Sequence, residues 1–120
     1  MDHLFVKGTD AARGARGEKL LIEGDAARLR VWEGEPAGET APEHANAYEY
    51  LAYVVAGRML VRVGDEDPFV AEAGDSYRVP SGTPYAFEVL EQATVVEALS
   101  GGPAVGPTGG PTLADETFPA

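Results

Sequence analysis

The sequence predicts an all-β domain, a sandwich or a closed barrel. Three observations carry this: short apolar bursts that alternate with polar residues, turn signals every eight to twelve residues or so, and no window that holds a helical apolar period. Fifteen glycines and nine prolines punctuate the bursts. At 120 residues the chain reads as one domain, large enough to bury roughly two thirds of the surface its unfolded form exposes.

Composition excludes several classes of function. With no cysteine, thiolate nucleophiles, disulfides, cysteine-ligated zinc and iron–sulfur clusters are ruled out. A net charge of −11, from 20 acidic and 9 basic residues, repels a phosphate backbone, so no nucleic-acid partner is expected. No apolar run is long enough to cross a bilayer, and the start Met1-Asp2-His3-Leu4 lacks a basic segment followed by an apolar one. The expectation is a soluble, cytoplasmic protein with no membrane partner.

Leu4-Phe5-Val6 reads as an edge strand, followed by a glycine-rich loop to Gly17. Lys19–Glu23 is a short strand and Gly24-Asp25 a turn. Arg28–Glu33 alternates charge with Leu29 and Val31, which predicts a dry face carrying those two and a wet face carrying Arg30 and Trp32, with Trp32 packed at an edge. Gly34 to Pro42 is expected to be a loop, because Pro36 and Pro42 lack an amide donor. Tyr50–Ala56 is apolar on both faces and therefore central. Gly57 permits a sharp bend into Arg58–Val63, whose inward residues are Met59, Val61 and Val63.

After the hairpin residues Gly64 to Pro68, Phe69–Ala71 and Ser76–Val79 are brief strands, the second stopped by Pro80-Ser81-Gly82-Thr83-Pro84. Tyr85–Val89 points Tyr85, Phe87 and Val89 inward, and Ala93–Leu99 is the last strand. Beyond residue 100 lies a tail rich in glycine and proline, in which Leu113 and Phe118 are candidate docking anchors.

Two spaced patterns within residues 38–89 make the chain resemble the cupin superfamily. The family's first motif is glycine, five residues, His-x-His, three or four residues, an acid or glutamine, six residues and glycine; here it reads Gly38, His44-Ala45-Asn46, Tyr50 and Gly57. The second is glycine, five residues, Pro-x-Gly, two residues and His; here it reads Gly74, Pro80-Ser81-Gly82 and Tyr85. The resemblance implies a double-stranded β-helix, or jelly-roll barrel, over residues 1–100 with a tail over 101–120, and a homodimer.

It also implies that His44, Asn46, Tyr50 and Tyr85 occupy the places of the family's four metal ligands. Only His44 is an ordinary ligand for a first-row divalent ion, so no metal and no cofactor are expected. Glu49 restores a carboxylate only if a β-bulge turns it inward.

Three readings of the implied pocket follow. In the first, His44, Asn46, Tyr50, Met59, Tyr85 and Phe87, with Val54 and Val61 behind them, bind a small organic ligand. In the second, His44 and either Tyr50 or Tyr85 act as acid and base in a metal-free isomerase or epimerase of the kind the family contains, with Glu49 or Glu43 orienting the histidine and Arg78 or Arg30 holding an anion. A residual metal-dependent enzyme is the variant of this reading that needs Glu49. In the third, the polar residues fill the barrel and satisfy one another. Other residues carry weaker signals: His3 sits near a terminus, Asp65-Glu66-Asp67 has no EF-hand frame, and Ser76 and Ser81 show no triad pattern.

Overall fold

A computed structural model describes residues 4–100. Seven strands run in chain order: β1 (Lys19–Glu23), β2 (Ala27–Glu35), β3 (Thr40–His44), β4 (Glu49–Val63), β5 (Phe69–Glu72), β6 (Ser76–Val79) and β7 (Tyr85–Ser100). All pairings are antiparallel. The all-β jelly-roll expectation holds.

The two long strands β4 and β7 form the axis of the fold, because each belongs to both halves of the barrel. The first half of β4 lies between β6 and the end of β7, and β7 continues the sheet through β2 to β1. The second half of β4 lies between β5 and the start of β7, which pairs onward with β3. Register shifts between Val54 and Met59 mark the passage from one half to the other. Bulges of this kind bend a sheet enough to fold it over on itself. At the bend Gly57 has φ +90° and its backbone lies against that of Gln92 and Ala93.

Nine expected strands become seven for physical reasons. Gly57 bends the chain without interrupting the ladder, so two expected strands merge into β4, and Tyr85–Val89 and Ala93–Leu99 merge in the same way into β7. Leu4 and Phe5 are exposed outside any strand, where an edge strand was expected; a short 3₁₀ turn, Gly8–Asp10, follows them. Part of the expected loop before His44 is the strand β3. It tolerates Pro42 because it is an edge strand that pairs only with β7, with a register shift between Ala41 and His44. The expected tail lies outside the described residues, as does His3.

Both halves contribute to one core. From the first come Tyr50, Ala52, Val54, Val79, Val95 and Leu99; from the second come Ala41, Met59, Val61, Ala71, Tyr85 and Val89. On β2 the expectation holds only in part: Val31 is buried as expected, although outside the main core cluster, whereas Leu29 is exposed and Arg30 and Trp32 are buried inside. Glu97, directly opposite Arg30 on β7, explains the burial of Arg30, since a paired guanidinium is accommodated where an unpaired one is not.

Candidate functional site

The ligand positions of the two motifs, His44, Asn46, Tyr50 and Tyr85, meet in the barrel. β3 pairs His44 with Tyr85, and the turn after β6 is tied to the segment after β3 by Gly82 N donating to Asn46 O at 2.8 Å and Ser81 Oγ donating to Ala47 O at 3.2 Å. These ties place Asn46 against the second motif. Its Nδ2 lies 3.4 Å from the Tyr85 hydroxyl, and the His44 and Tyr85 rings are 4.5 Å apart. Tyr50 packs edge-on against Tyr85 at 5.2 Å and against Tyr77 at 6.3 Å. His44, Asn46, Tyr50 and Tyr85 are therefore brought together, and Tyr77 extends the row of phenols into the barrel.

Burial pushes the Tyr50, Tyr77 and Tyr85 phenols above their ordinary value, and the nearby Glu97 carboxylate adds to the effect. They are donors at neutral pH. A phenol whose folded value is raised leaves stability intact below the unfolded value near 10, and above it the unfolded chain ionises while the folded one resists. We expect stability to fall steeply above about pH 10, and absorbance at 295 nm to show a phenolate step smaller than that of five tyrosines until the chain unfolds.

Deeper in, Arg30 is fully buried and donates from Nε to Glu97 Oε1, which also accepts from Trp32 Nε1 at 3.0 Å. The guanidinium sits 5.4 Å from the centre of the Trp32 ring, within range of a cation–π attraction. Burial opposes its charge, yet Glu97 together with the Tyr48 and Tyr85 phenols offsets that and holds Arg30 above the ordinary arginine value. Tyr48, also buried, lies close enough to Arg30 to be felt electrostatically.

Beside Glu97 is a cavity of about 20 Å³, lined in part by Trp32, Met59, Tyr77 and Phe87; His44, Asn46, Tyr50 and Tyr85 do not line it. That is room for about one water molecule. Met59 is buried there and Phe87 half-buried.

Sequence reasoning missed Arg30, Trp32, Tyr77 and Glu97 as interior groups. The signal for Glu97 is legible in hindsight: it alternates with Val95 and Leu99 on the inward face of β7. Glu49 does not turn inward. No register shift falls beside it, and its carboxylate accepts from Arg78 Nε at 2.6 Å on the outside of the barrel. Both arginines offered as anion holders are thus matched to carboxylates, and Glu43 is exposed.

The donor set does not fit a first-row metal. His44 Nδ1 lies 2.9 Å from the Pro42 carbonyl, which can only accept, so the neutral ring carries its proton on Nδ1 and its basic lone pair on Nε2, a buried atom. That suits one ligand. Two phenols held protonated and an amide do not supply the other three. Among the described residues no three His, Cys, Asp or Glu side chains gather where an ion would sit.

Residues 30–100 match the sequence model of the cupin domain. The chain belongs to the cupin family. Solved structures agree on the fold. An RmlC-like cupin from Shewanella frigidimarina superposes with a TM-score of 0.72 at 21% identity, covering 82% of this chain and 91% of its own. KdgF from Halomonas sp. gives 0.64 at 19% identity, with 69% and 77% covered. The DMSP lyase DddQ from Ruegeria pomeroyi gives 0.66 at 21% identity, with 81% of this cupin spanning 55% of that chain. No curated protein sequence matches significantly. Identities this low establish the barrel of this cupin and leave its chemistry to its own side chains. No helix among the described residues is long and apolar enough to cross a membrane.

Proposed function

We propose that this cupin binds a small, uncharged organic molecule bearing hydroxyl or carbonyl groups, without a metal. One observation carries the reading: four motif positions converge as His44, Asn46, Tyr50 and Tyr85, with phenols that burial keeps protonated. Protonated phenols donate to carbonyl or hydroxyl oxygens. The Asn46 Oδ1 atom is buried without a hydrogen-bond partner and accepts from a ligand hydroxyl. Two further facts argue against an anionic ligand: Glu97 already neutralises Arg30, and the chain carries a charge of −11. The cavity of about 20 Å³ lies beside this cluster and is lined by none of the four, so a ligand reaches them only if side chains such as Phe87 and the unbranched, adaptable Met59, which line it, move.

Thermal-shift and calorimetric titration with matched pairs, a neutral polyol or ketone against its carboxylate, tests this. The neutral member is expected to raise the melting temperature, and Asn46→Leu and Tyr85→Phe to weaken it by roughly ten-fold each, about the worth of one buried hydrogen bond. Preference for the carboxylate, or unchanged affinity in both variants, contradicts the reading. Chelator is expected to leave the melting temperature unchanged.

A second reading rests on the orientation of His44 by the Pro42 carbonyl, which makes Nε2 the ring's base beside Tyr85. In this reading Nε2 takes a proton from the carbon next to a ligand carbonyl while the Tyr85 hydroxyl protonates the carbonyl oxygen to give an enediol. The histidinium then returns its proton to the former carbonyl carbon as the Tyr85 phenolate takes the proton of the neighbouring hydroxyl, an isomerisation without metal that restores both groups. His44→Ala and Tyr85→Phe are each expected to lower turnover of keto-sugars by two or more orders of magnitude. Full turnover in both variants removes acid–base chemistry and leaves binding.

A further inference from the structure

Two glutamates, Glu35 and Glu97, line the cavity beside the motif cluster, and each keeps a carboxylate oxygen for a ligand. The two hydrogen bonds that Glu97 accepts, from Arg30 Nε and Trp32 Nε1, both end on Oε1, and among the described residues nothing donates to Oε2. Only 5% of Glu97 is exposed, so Oε2 opens onto the cavity and little else. Glu35 is half-buried, and its carboxylate has no hydrogen bond or ion pair among the described residues. Burial and the neighbouring Glu39 push its carboxyl above the ordinary value, while Arg16 acts the other way.

The strand register sets the distance between the two. Arg30 faces Glu97 and Glu35 faces Ala93, four residues earlier on β7, which is about 13 Å of strand. The reach of two glutamate side chains reduces that gap to the length of a benzene ring with a short arm. The walls between them are aromatic at Trp32, Tyr77 and Phe87 and aliphatic at Met59. Such walls favour an aromatic ring in offset or edge-on contact.

We propose that this cavity is a subsite for a neutral aromatic alcohol with a hydroxyl at each end, one donating to Glu97 Oε2 and the other to Glu35. The assignment rests on the reading that the interior takes an uncharged molecule, and it specifies the groups that molecule carries. Ionised carboxylates only accept, so an ether or carbonyl oxygen gains nothing at either end. A carboxylate ligand meets Glu35 and Glu39 together and is repelled. A hydroxyl also sheds its water at far lower cost than an ammonium, and the charge of Glu97 is already matched by Arg30. At about 20 Å³ the cavity takes a water or a terminal hydroxyl as it stands, and the ring follows as Phe87 and Met59 give way.

Calorimetric titration with para-hydroxyphenylethanol, its two monomethyl ethers and para-hydroxyphenylacetate tests the assignment. In the wild type each ether is expected to bind roughly ten-fold more weakly than the parent alcohol, the worth of one hydrogen bond to a buried acceptor. Glu35→Leu removes an acceptor that holds nothing in the folded chain, so far-UV circular dichroism is expected to be unchanged. The parent alcohol is expected to lose a similar factor in this variant, and the penalty of one ether to vanish while that of the other persists. Ethers that equal the parent alcohol in the wild type, an alcohol indifferent to Glu35→Leu, or two penalties that both persist in the variant overturn the subsite. So does the absence of binding by all four compounds at millimolar concentration. Tighter binding of para-hydroxyphenylacetate than of the alcohol overturns the uncharged-ligand reading and the subsite with it. An alcohol whose affinity falls in Asn46→Leu and Tyr85→Phe but not in Glu35→Leu overturns the subsite alone.

Discussion

Glu97→Ala is expected to cost about 3–5 kcal/mol of folding stability, a large share of the 5–15 kcal/mol typical of a domain. The change strands the fully buried Arg30 without its carboxylate and removes the acceptor for Trp32 Nε1. Arginine cannot escape by losing its proton, because its value lies far above neutrality even in water. The cost is chiefly that of an uncompensated buried charge, and so a second substitution relieves it. Arg30→Met combined with Glu97→Leu is expected to recover most of the loss, since apolar residues of similar volume replace buried ion pairs at little cost. Urea denaturation of the two variants measures both numbers. A Glu97→Ala loss under about 1 kcal/mol would mean that water reaches the pair, contrary to its burial.

Gly57→Ala is the second large effect. A Cβ at that position would lie 2.1 Å from Gln92 O and 2.6 Å from Ala93 Cα, both backbone atoms of the neighbouring strand, and φ is +90°. Neither the clash nor the dihedral is relieved by a side-chain rotation. The strand must shift at the bend where β4 passes from one half of the barrel to the other, and we expect a loss of more than about 3 kcal/mol, or failure to fold. Gly74→Ala is the informative comparison: its φ is +95°, but a Cβ there meets nothing within 4 Å. Only backbone strain remains at that site, so its loss is expected at about 1–2 kcal/mol. Equal losses at the two glycines would show that the close approach to Gln92 contributes nothing.

The spacing of glycines and prolines made the fold legible because those residues sit where the backbone has no alternative. Gly57 marks the bend and Gly74 and Gly82 the turns, each with positive φ. Inward alternation was equally legible along β4 and the start of β7, where apolar residues face the core. It failed in part on β2, because alternation reports which residues share a face and not which face is inside. Arg30 and Trp32 face inward through a partner, Glu97, that lies 67 residues away in sequence. A cross-strand ion pair leaves no local trace. The question of Glu49 was undecidable from spacing for a related reason: only the ladder shows that the bulges lie between Val54 and Met59, leaving Glu49 in regular register and paired with Arg78.

The candidate site was located by the motif frame, and its character came from the interior of the barrel. His44, Asn46, Tyr50 and Tyr85 meet as the spacing required, whereas the Arg30–Glu97 ion pair and the phenol of Tyr77 set the polarity of the interior. Native mass spectrometry of the protein as isolated addresses the central claim most directly, since it weighs metal and organic ligand at once. No stoichiometric metal is expected, and a mass increment, where one is present, is expected to correspond to a small uncharged organic compound and to be lost in Tyr85→Phe. One equivalent of nickel, zinc, iron or manganese that disappears in His44→Ala would contradict the claim.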